Sequence, residues 1–330
     1  MHLGRLSGRP RPLLVTAAAA AVLFFAALTV MSAVAGWGAV GRQGHFRLSF
    51  WFAAAFAAET ASFIAYVFAY RSVAAVEDGP KLRLREAAAL VAFGFGAFLA
   101  KGGAALDSKA LATSEGGERE GEVRVLALDA LEHAPLAPAA CAAALTLLAA
   151  GQRKPGLDFT IPWSTLVPLG AVLAVVGVRH RARFVGRHGW RGKLGDVLEG
   201  IWILFRLARE WRRHWVAFAG AALYWAGDVL CLWAALHPFH AAPRFAPVVL
   251  AHAVGYVLTR RTLPLAGAGI VEVLMPLTLV AAGAPFAGAI LGVFVYRLFN
   301  LWLPLIPAAA ALPHLRRRYG RSFQALPHAV

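Results

Sequence analysis

TLPLAGAGIVEVLMPLTLVAAGAPFAGAILGVFVYRLFNLWLP, residues 262–304, decides how the rest of the chain is read. It is apolar enough for a bilayer interior, yet Gly and Pro interrupt it where a plain anchor would carry Leu. It also places Glu272 and Arg297 in apolar surroundings. Charges at that depth are costly and face the protein interior or a water-filled cavity. Arg297 stands too far inside the final apolar run to snorkel easily. Two readings stay open: a buried ion pair with Glu272 that fixes packing, or a planar donor fork that meets an anion.

The same character extends along the chain. Of its 330 residues 59% are hydrophobic and 15% charged, where a soluble domain carries roughly a quarter charged. Long continuous apolar runs recur, so the class is an all-α, polytopic membrane helical bundle rather than a barrel of alternating strands. The net charge of +16 comes from 33 Lys+Arg against 17 Asp+Glu. The basic residues cluster just outside apolar segments, which fits positive-inside topology and anionic headgroups; nucleic acid is not an expected partner. Cys141 and Cys231 lie in apolar segments and read as small buried hydrophobes. No CxxC, HExxH, nucleophile elbow, phosphate loop or dinucleotide fingerprint occurs, so no metal, cofactor or catalytic residue is expected.

Apolar segments follow one another at about 13–36, 48–70, 87–100, 134–150, 161–178, 214–236, 245–259, 266–283 and 286–312. A full crossing needs about 20 residues, and several of these are shorter. If all nine crossed from a cytoplasmic N-terminus, the stretch 179–213 would lie outside. It holds Arg179, Arg181, Arg183, Arg187, Arg191, Lys193, Arg206, Arg209, Arg212 and Arg213. The tail with Arg316, Arg317 and Arg318 would lie outside too, and both placements violate the positive-inside rule. The violations vanish if 87–100 dips in from the cytoplasm and returns near 123–131, and if 245–259 with 266–283 forms a dip from the other face. Six full crossings and two re-entrant broken-helix pairs remain, and their order repeats in opposite orientation as an inverted repeat. The expected divisions are a basic cytoplasmic N-terminus at 1–12 and a first membrane half at 13–178. That half ends with the first helix of the second repeat (161–178). A basic cytoplasmic linker with an interfacial helix follows at 179–213, the second membrane half at 214–312, and a basic, disordered cytoplasmic tail at 313–330. Leu194, Val197, Leu198, Ile201, Phe205 and Ala208 carry the helical spacing of the interfacial helix.

The candidate site residues sit at the two dips. Gly102 and Gly103 precede Asp107; they read equally as a helix start able to meet an anionic group or as a cytoplasmic loop. Arg124 and Glu132 enter an apolar stretch and either face a cavity or belong to a snorkelling helix. In the second dip Arg260 and Arg261 precede Pro264, Gly267 and Gly269, with Glu272 one turn further on, as in a broken helix lining a cavity. Asp228 and Glu59 lie inside apolar segments, each either proton-linked or a satisfied interhelical partner. His237 and His240 fall in a loop and His252 in a short apolar segment.

The residues Pro264, Gly267, Gly269, Glu272, Tyr296, Arg297, Trp302 and Pro304, together with GGAALDSKAL and RVLALDALEHAPLAPAA in the first half, resemble the lysylphosphatidylglycerol synthase transmembrane region over about residues 13–312. In the first half Gly102, Gly103, Asp107, Arg124 and Glu132 carry the likeness. Leu265-Ala266 stands where relatives often have further Gly. The resemblance implies a flippase-like lipid translocase in the cell membrane, multi-pass, with both termini cytoplasmic. Its partner would be an anionic or aminoacylated phospholipid, with homo-oligomers as a further expectation. The substrate-binding set is then Arg297, Glu272, Arg124, Glu132, Gly267, Gly269, Gly102, Gly103 and Asp107. The rival expectations are an accessory subunit or transferase acting on polyprenyl or phospholipid substrates, with Asp107, Glu118 and Glu120 around a divalent ion, and a non-transporting membrane scaffold.

Overall fold

The protein is described from a computed structural model covering residues 11–44, 49–76, 79–97, 102–113, 117–152, 155–186, 188–256 and 267–324. Every regular element among the described residues is helical. The first half contains α1 (Arg11–Ala35), the short α2 (Trp37–Gln43), α3 (Phe50–Ala74), α4 (Leu84–Ala97), α5 (Gly102–Leu111) and α6 (Gly117–Ala149). The second contains α7 (Leu157–Arg179), α8 (Trp190–Arg209), α9 (Trp211–Leu236), α10 (Phe245–Tyr256), α11 (Val271–Ala281), α12 (Phe286–Arg297) and α13 (Leu305–Gln324).

Six stretches are long and apolar enough to cross a membrane: Ala17–Ala35, Phe50–Ala74, Arg119–Ala149, Leu157–Arg179, Trp211–Phe239 and Phe286–Gly320. The fold is thus an all-α polytopic bundle with the six long segments expected. Between them lie two pairs of short helices, α4 with α5 and α10 with α11. Apart from α2 and α8, the order long, long, short pair, long occurs twice.

The helices survive their prolines and hydroxyls because these are locally accommodated. Pro135 and Pro138 lie inside α6, Pro162 and Pro168 inside α7 and Pro276 inside α11, positions tolerated in membrane helices when neighbours supply the lost bonds. Thr60, Ser72, Thr165 and Thr278 each donate a hydroxyl to the carbonyl four residues back, which removes their polarity from the apolar surroundings. Ser49 caps α3 by accepting the Trp51 N–H at 3.3 Å.

Packing of α3 against α9 forms the centre. Lipid is as apolar as leucine, so close backbone approach at small residues must drive this contact. A Cβ added at Gly227 would stand 2.7 Å from the Ala58 carbonyl oxygen, and one at Gly220 2.7 Å from that of Ala65. Between them the Ser62 hydroxyl donates to the Tyr224 carbonyl at 2.8 Å. The Gly227→Ala variant is therefore expected to lose about 1–3 kcal/mol, because the clash is with backbone that cannot rotate away. Thermal unfolding in detergent, followed by tryptophan fluorescence, checks this; an unchanged midpoint would mean that the helices are further apart than described.

Two local expectations are corrected. The stretch 123–131 is not a separate return leg; it continues without a break into 134–150 as α6, and α5 is the second member of the short pair. The tail beyond Pro313 is helical to Gln324, and it is tied down: the Tyr319 hydroxyl donates to Glu86 at 2.8 Å and Arg318 pairs with the same carboxylate at 2.5 Å. The amphipathic helix expected at 194–208 forms as α8. Gly192, Gly195, Leu198, Gly200, Ile203 and Leu207 pack inward, while Val197 and Phe205 remain exposed. A Cβ on Gly200 would meet the Ala127 backbone nitrogen at 2.9 Å, so α8 approaches the α6 backbone closely at this glycine. Asp196 also pairs with Arg119 at 2.9 Å across that contact.

Candidate functional site

The second half gathers its buried polar residues into one network. α11 is entered through Gly267 and Gly269, with φ of +66° and +89°, values that favour glycine. That turn aims the Gly269 N–H at Glu272 Oε2, 2.6 Å away, much as a capping carboxylate reaches back over a helix start. The other oxygen of Glu272 accepts Arg297 Nε at 2.6 Å. Both side chains are within the core, 5% and 1% exposed. Arg297 ends α12, and the chain passes directly into a π-helical stretch, Leu298–Trp302. Such wide turns often mark functional sites; this one brings Asn300 beside Arg297, with Asn300 Oδ1 3.5 Å from the guanidinium.

Asn300 links the ion pair to a second carboxylate. Its amide nitrogen donates to Asp228 Oδ1 at 2.8 Å and lies 3.4 Å from Glu59 Oε1, and its oxygen accepts the Tyr256 hydroxyl. Asp228, fully buried in mid-α9, also contacts the Tyr296 hydroxyl at 2.9 Å and His252 Nε2 at 3.1 Å. The Tyr296 and Tyr256 hydroxyl oxygens are 2.8 Å apart. The His252 ring stacks on Tyr256 with centroids 4.7 Å apart and meets the edge of Trp225 at 5.4 Å. Five elements thus converge: α3, α9, α10, α11 and the α12 junction.

The first half holds a smaller set with different partners. Glu132 on α6 accepts the Tyr66 hydroxyl of α3, and its backbone carbonyl accepts the Trp225 indole N–H of α9. Since Trp225 also touches His252, Glu132 lies one aromatic ring from the second-half network. Asp107 accepts the Tyr70 hydroxyl at 2.9 Å. Arg124 is buried and donates to the Leu111 and Val76 carbonyls at 2.8 and 3.1 Å, while pairing with Glu120 at 2.5 Å. Those carbonyls stand at and just beyond the C-terminal ends of α5 and α3, where cations meet unpaired carbonyls and the negative end of the helix dipole. Arg124→Gln is therefore expected to cost about 2–3 kcal/mol, from loss of charged hydrogen bonds to buried carbonyls. Guanidinium-induced unfolding in micelles measures it; a loss below about 0.5 kcal/mol would show that neither carbonyl depends on this side chain.

Of the residues singled out from the sequence, Arg297, Glu272 and Gly269 are in direct contact, with Gly267 in the same turn. Arg124, Glu132 and Asp107 occupy the first half, each with its own partners, and Gly102 and Gly103 open α5. Arg124 and Glu120 also border a cleft of about 330 Å³ between α6 and α8. Arg260, Arg261 and Pro264 lie outside the described residues, as does the Glu118 side chain. Among the described residues no group of three His, Cys, Asp or Glu is placed to hold a metal ion. Asn300 and Tyr256 are not among the residues singled out from the sequence, and His252 is noted there only for its place in a short apolar segment. A signal existed for two of them: His252 and Tyr256 are one helical turn apart, on one face of a short apolar helix.

The family described as Lysylphosphatidylglycerol synthase TM region matches residues 123–308, more than half of the chain. The match includes every member of the polar network except Glu59, and it leaves out Gly102, Gly103 and Asp107. No curated protein and no solved structure matches the chain.

Proposed function

Because the chain belongs to the lysylphosphatidylglycerol synthase TM region family, we propose that this multi-pass membrane protein translocates a phospholipid between leaflets, with an anionic or aminoacylated lipid as substrate. The observation that carries the reading is the Glu272–Arg297 pair, fully inside an apolar bundle and joined to Asp228 through Asn300. Charge this deep is retained at a cost, and membrane proteins that keep it use it for pathways and ligands. In this mechanism the headgroup enters between the two halves, Arg297 exchanges Glu272 for the lipid phosphate as a planar donor, and the acyl chains stay in the bilayer. The twice-repeated element order supports treating the halves as an inverted repeat whose rocking exposes the site alternately. Both termini are then cytoplasmic in the cell membrane, and α8 lies on the inner leaflet with Val197 and Phe205 toward lipid.

The test is transbilayer movement of fluorescent lipids with neutral, anionic and aminoacylated headgroups in liposomes containing the purified protein. Movement of one headgroup class above protein-free vesicles is expected. A second reading, a non-transporting scaffold, is favoured by the closeness of the Glu272–Arg297 pairing; it predicts no movement of any lipid by demonstrably folded protein.

A further inference from the structure

The hydrogen-bonded core is one proton short. Three oxygen–oxygen contacts run in series: Asp228 Oδ1 to the Tyr296 hydroxyl at 2.9 Å, Tyr296 to the Tyr256 hydroxyl at 2.8 Å, and Tyr256 to Asn300 Oδ1. Each contact needs one hydrogen, because two oxygens without a proton between them repel. The two phenols supply two hydrogens. Turning the Asn300 amide over does not remove the shortage; it would set Asn300 Oδ1 against Asp228 Oδ1, the contact that measures 2.8 Å, again without a hydrogen. A proton on Asp228 completes the series in the orientation described: Asp228 donates to Tyr296, Tyr296 to Tyr256, and Tyr256 to Asn300.

A second observation points to the same place. His252 is fully buried; its Nε2 faces Asp228 Oδ2 at 3.1 Å, and its Nδ1 has no hydrogen-bond partner among the described residues. An imidazole held by a carboxylate at one nitrogen, with the other nitrogen's lone pair unused, is an arrangement that accepts a proton. A metal ion fits poorly, since the oxygens and nitrogens around Asp228 already touch one another at hydrogen-bond distances.

We propose that Asp228, together with His252, is a proton-binding site in the membrane core, and that its loading drives the lipid movement proposed above. The binding step needs no further co-reactant: a proton from water adds to the Asp228 carboxylate or to His252 Nδ1, and leaves by the same bond. Several charged or titratable groups surround the pair. On α9 itself there is Cys231; α3 presents Glu59, α6 Glu132 and α11 Glu272. Tyr256 and Tyr296 lie in the series, and Arg297, 3.5 Å from the Tyr256 hydroxyl, is held by Glu272. Among the described residues no basic side chain other than His252 touches Asp228. A filled site has its series of hydrogen bonds complete and is locked; an emptied one has a missing bond at Tyr296–Tyr256, between α12 and α10. Proton exchange thereby favours one arrangement of those helices over another. Coupling rests on the translocase reading; proton binding does not.

Two measurements separate these claims. Infrared difference spectra between pH 5 and pH 9, on the full chain in phosphatidylglycerol–phosphatidylethanolamine nanodiscs, are expected to show a carboxylic-acid band that disappears in Asp228→Asn. Its midpoint should move by about one pH unit in His252→Gln. A band unchanged in both variants would overturn the site. If Asp228→Asn does not fold, Tyr296→Phe takes its place, and a midpoint unmoved in both it and His252→Gln has the same meaning. In liposomes, a gradient of one pH unit should shift the steady-state distribution of the transported lipid by up to about tenfold for one proton per lipid, with no shift in Asp228→Asn. Lipid movement indifferent to the gradient would overturn the coupling and leave the translocase standing. Absence of any lipid movement would overturn the translocase reading and the coupling with it, while the infrared result still decides the proton site.

Discussion

Replacing Arg297 by alanine is expected to destabilise the fold by about 3–5 kcal/mol, the cost of leaving Glu272 as an uncompensated buried charge. The geometry explains why it should reach that range. Glu272 is 5% exposed, accepts Arg297 Nε at 2.6 Å, and spends its other oxygen on the Gly269 N–H that shapes the entry to α11. Without the guanidinium the carboxylate must take up a proton or draw in water, and either response disturbs that turn. The double variant Arg297→Met with Glu272→Gln should recover most of the loss, because the glutamine oxygen still accepts from Gly269 and no charge remains. A coupling energy above about 1 kcal/mol across this cycle, measured by chemical unfolding in micelles, supports a true buried pair. A single-variant loss below about 1 kcal/mol would contradict it. The same double variant separates function from packing. If it is stable and no longer moves lipid, the charges act on substrate; if it moves lipid normally, they serve only to join α11 to α12.

The class of the fold could be read directly from the order of the apolar runs. Each of the six long segments contains a run that continuous hydrophobicity marked, although the third begins well before its run, because a bilayer dictates a length and a composition that each segment must meet alone. That Glu272 and Arg297 face the interior was legible for a related reason, since charge at that depth is costly; their pairing was one of two open readings. What escaped is what depends on packing between distant segments. Asn300 has no signature in sequence; it matters because the π-helical stretch after Arg297 turns it toward Asp228, contributed by a helix 72 residues earlier. The buried face of α8 also depends on packing between segments. Helical spacing announces an amphipathic helix, but not that Gly200 stands against the α6 backbone and Gly195 against Phe184 and Val185, with Val197 and Phe205 left exposed. The helical tail was missed because its anchor, Glu86, lies more than two hundred residues away, where no local pattern could announce it.

Substituting Asp228 by leucine is expected to cost about 3–6 kcal/mol, and for a reason different from that at Arg297. Here the damage lies in donors left without an acceptor. His252 Nε2, the Tyr296 hydroxyl and the Asn300 amide all converge on this one carboxylate at 2.8–3.1 Å, and each buried donor without a partner costs about 1–3 kcal/mol. Leucine has similar bulk, so a cavity adds little. Asparagine in the same place retains one acceptor oxygen and should lose no more than about half as much, which makes the leucine–asparagine difference the informative quantity. Thermal unfolding of both variants in identical detergent provides it. A leucine variant as stable as the wild type would mean that the three donors find other acceptors, and the network would then be too loose to hold a proton in place. Equal, large losses in leucine and asparagine would mean that the negative charge itself is what the core requires. The expected intermediate loss for asparagine follows because its amide oxygen still accepts from one of the three converging donors.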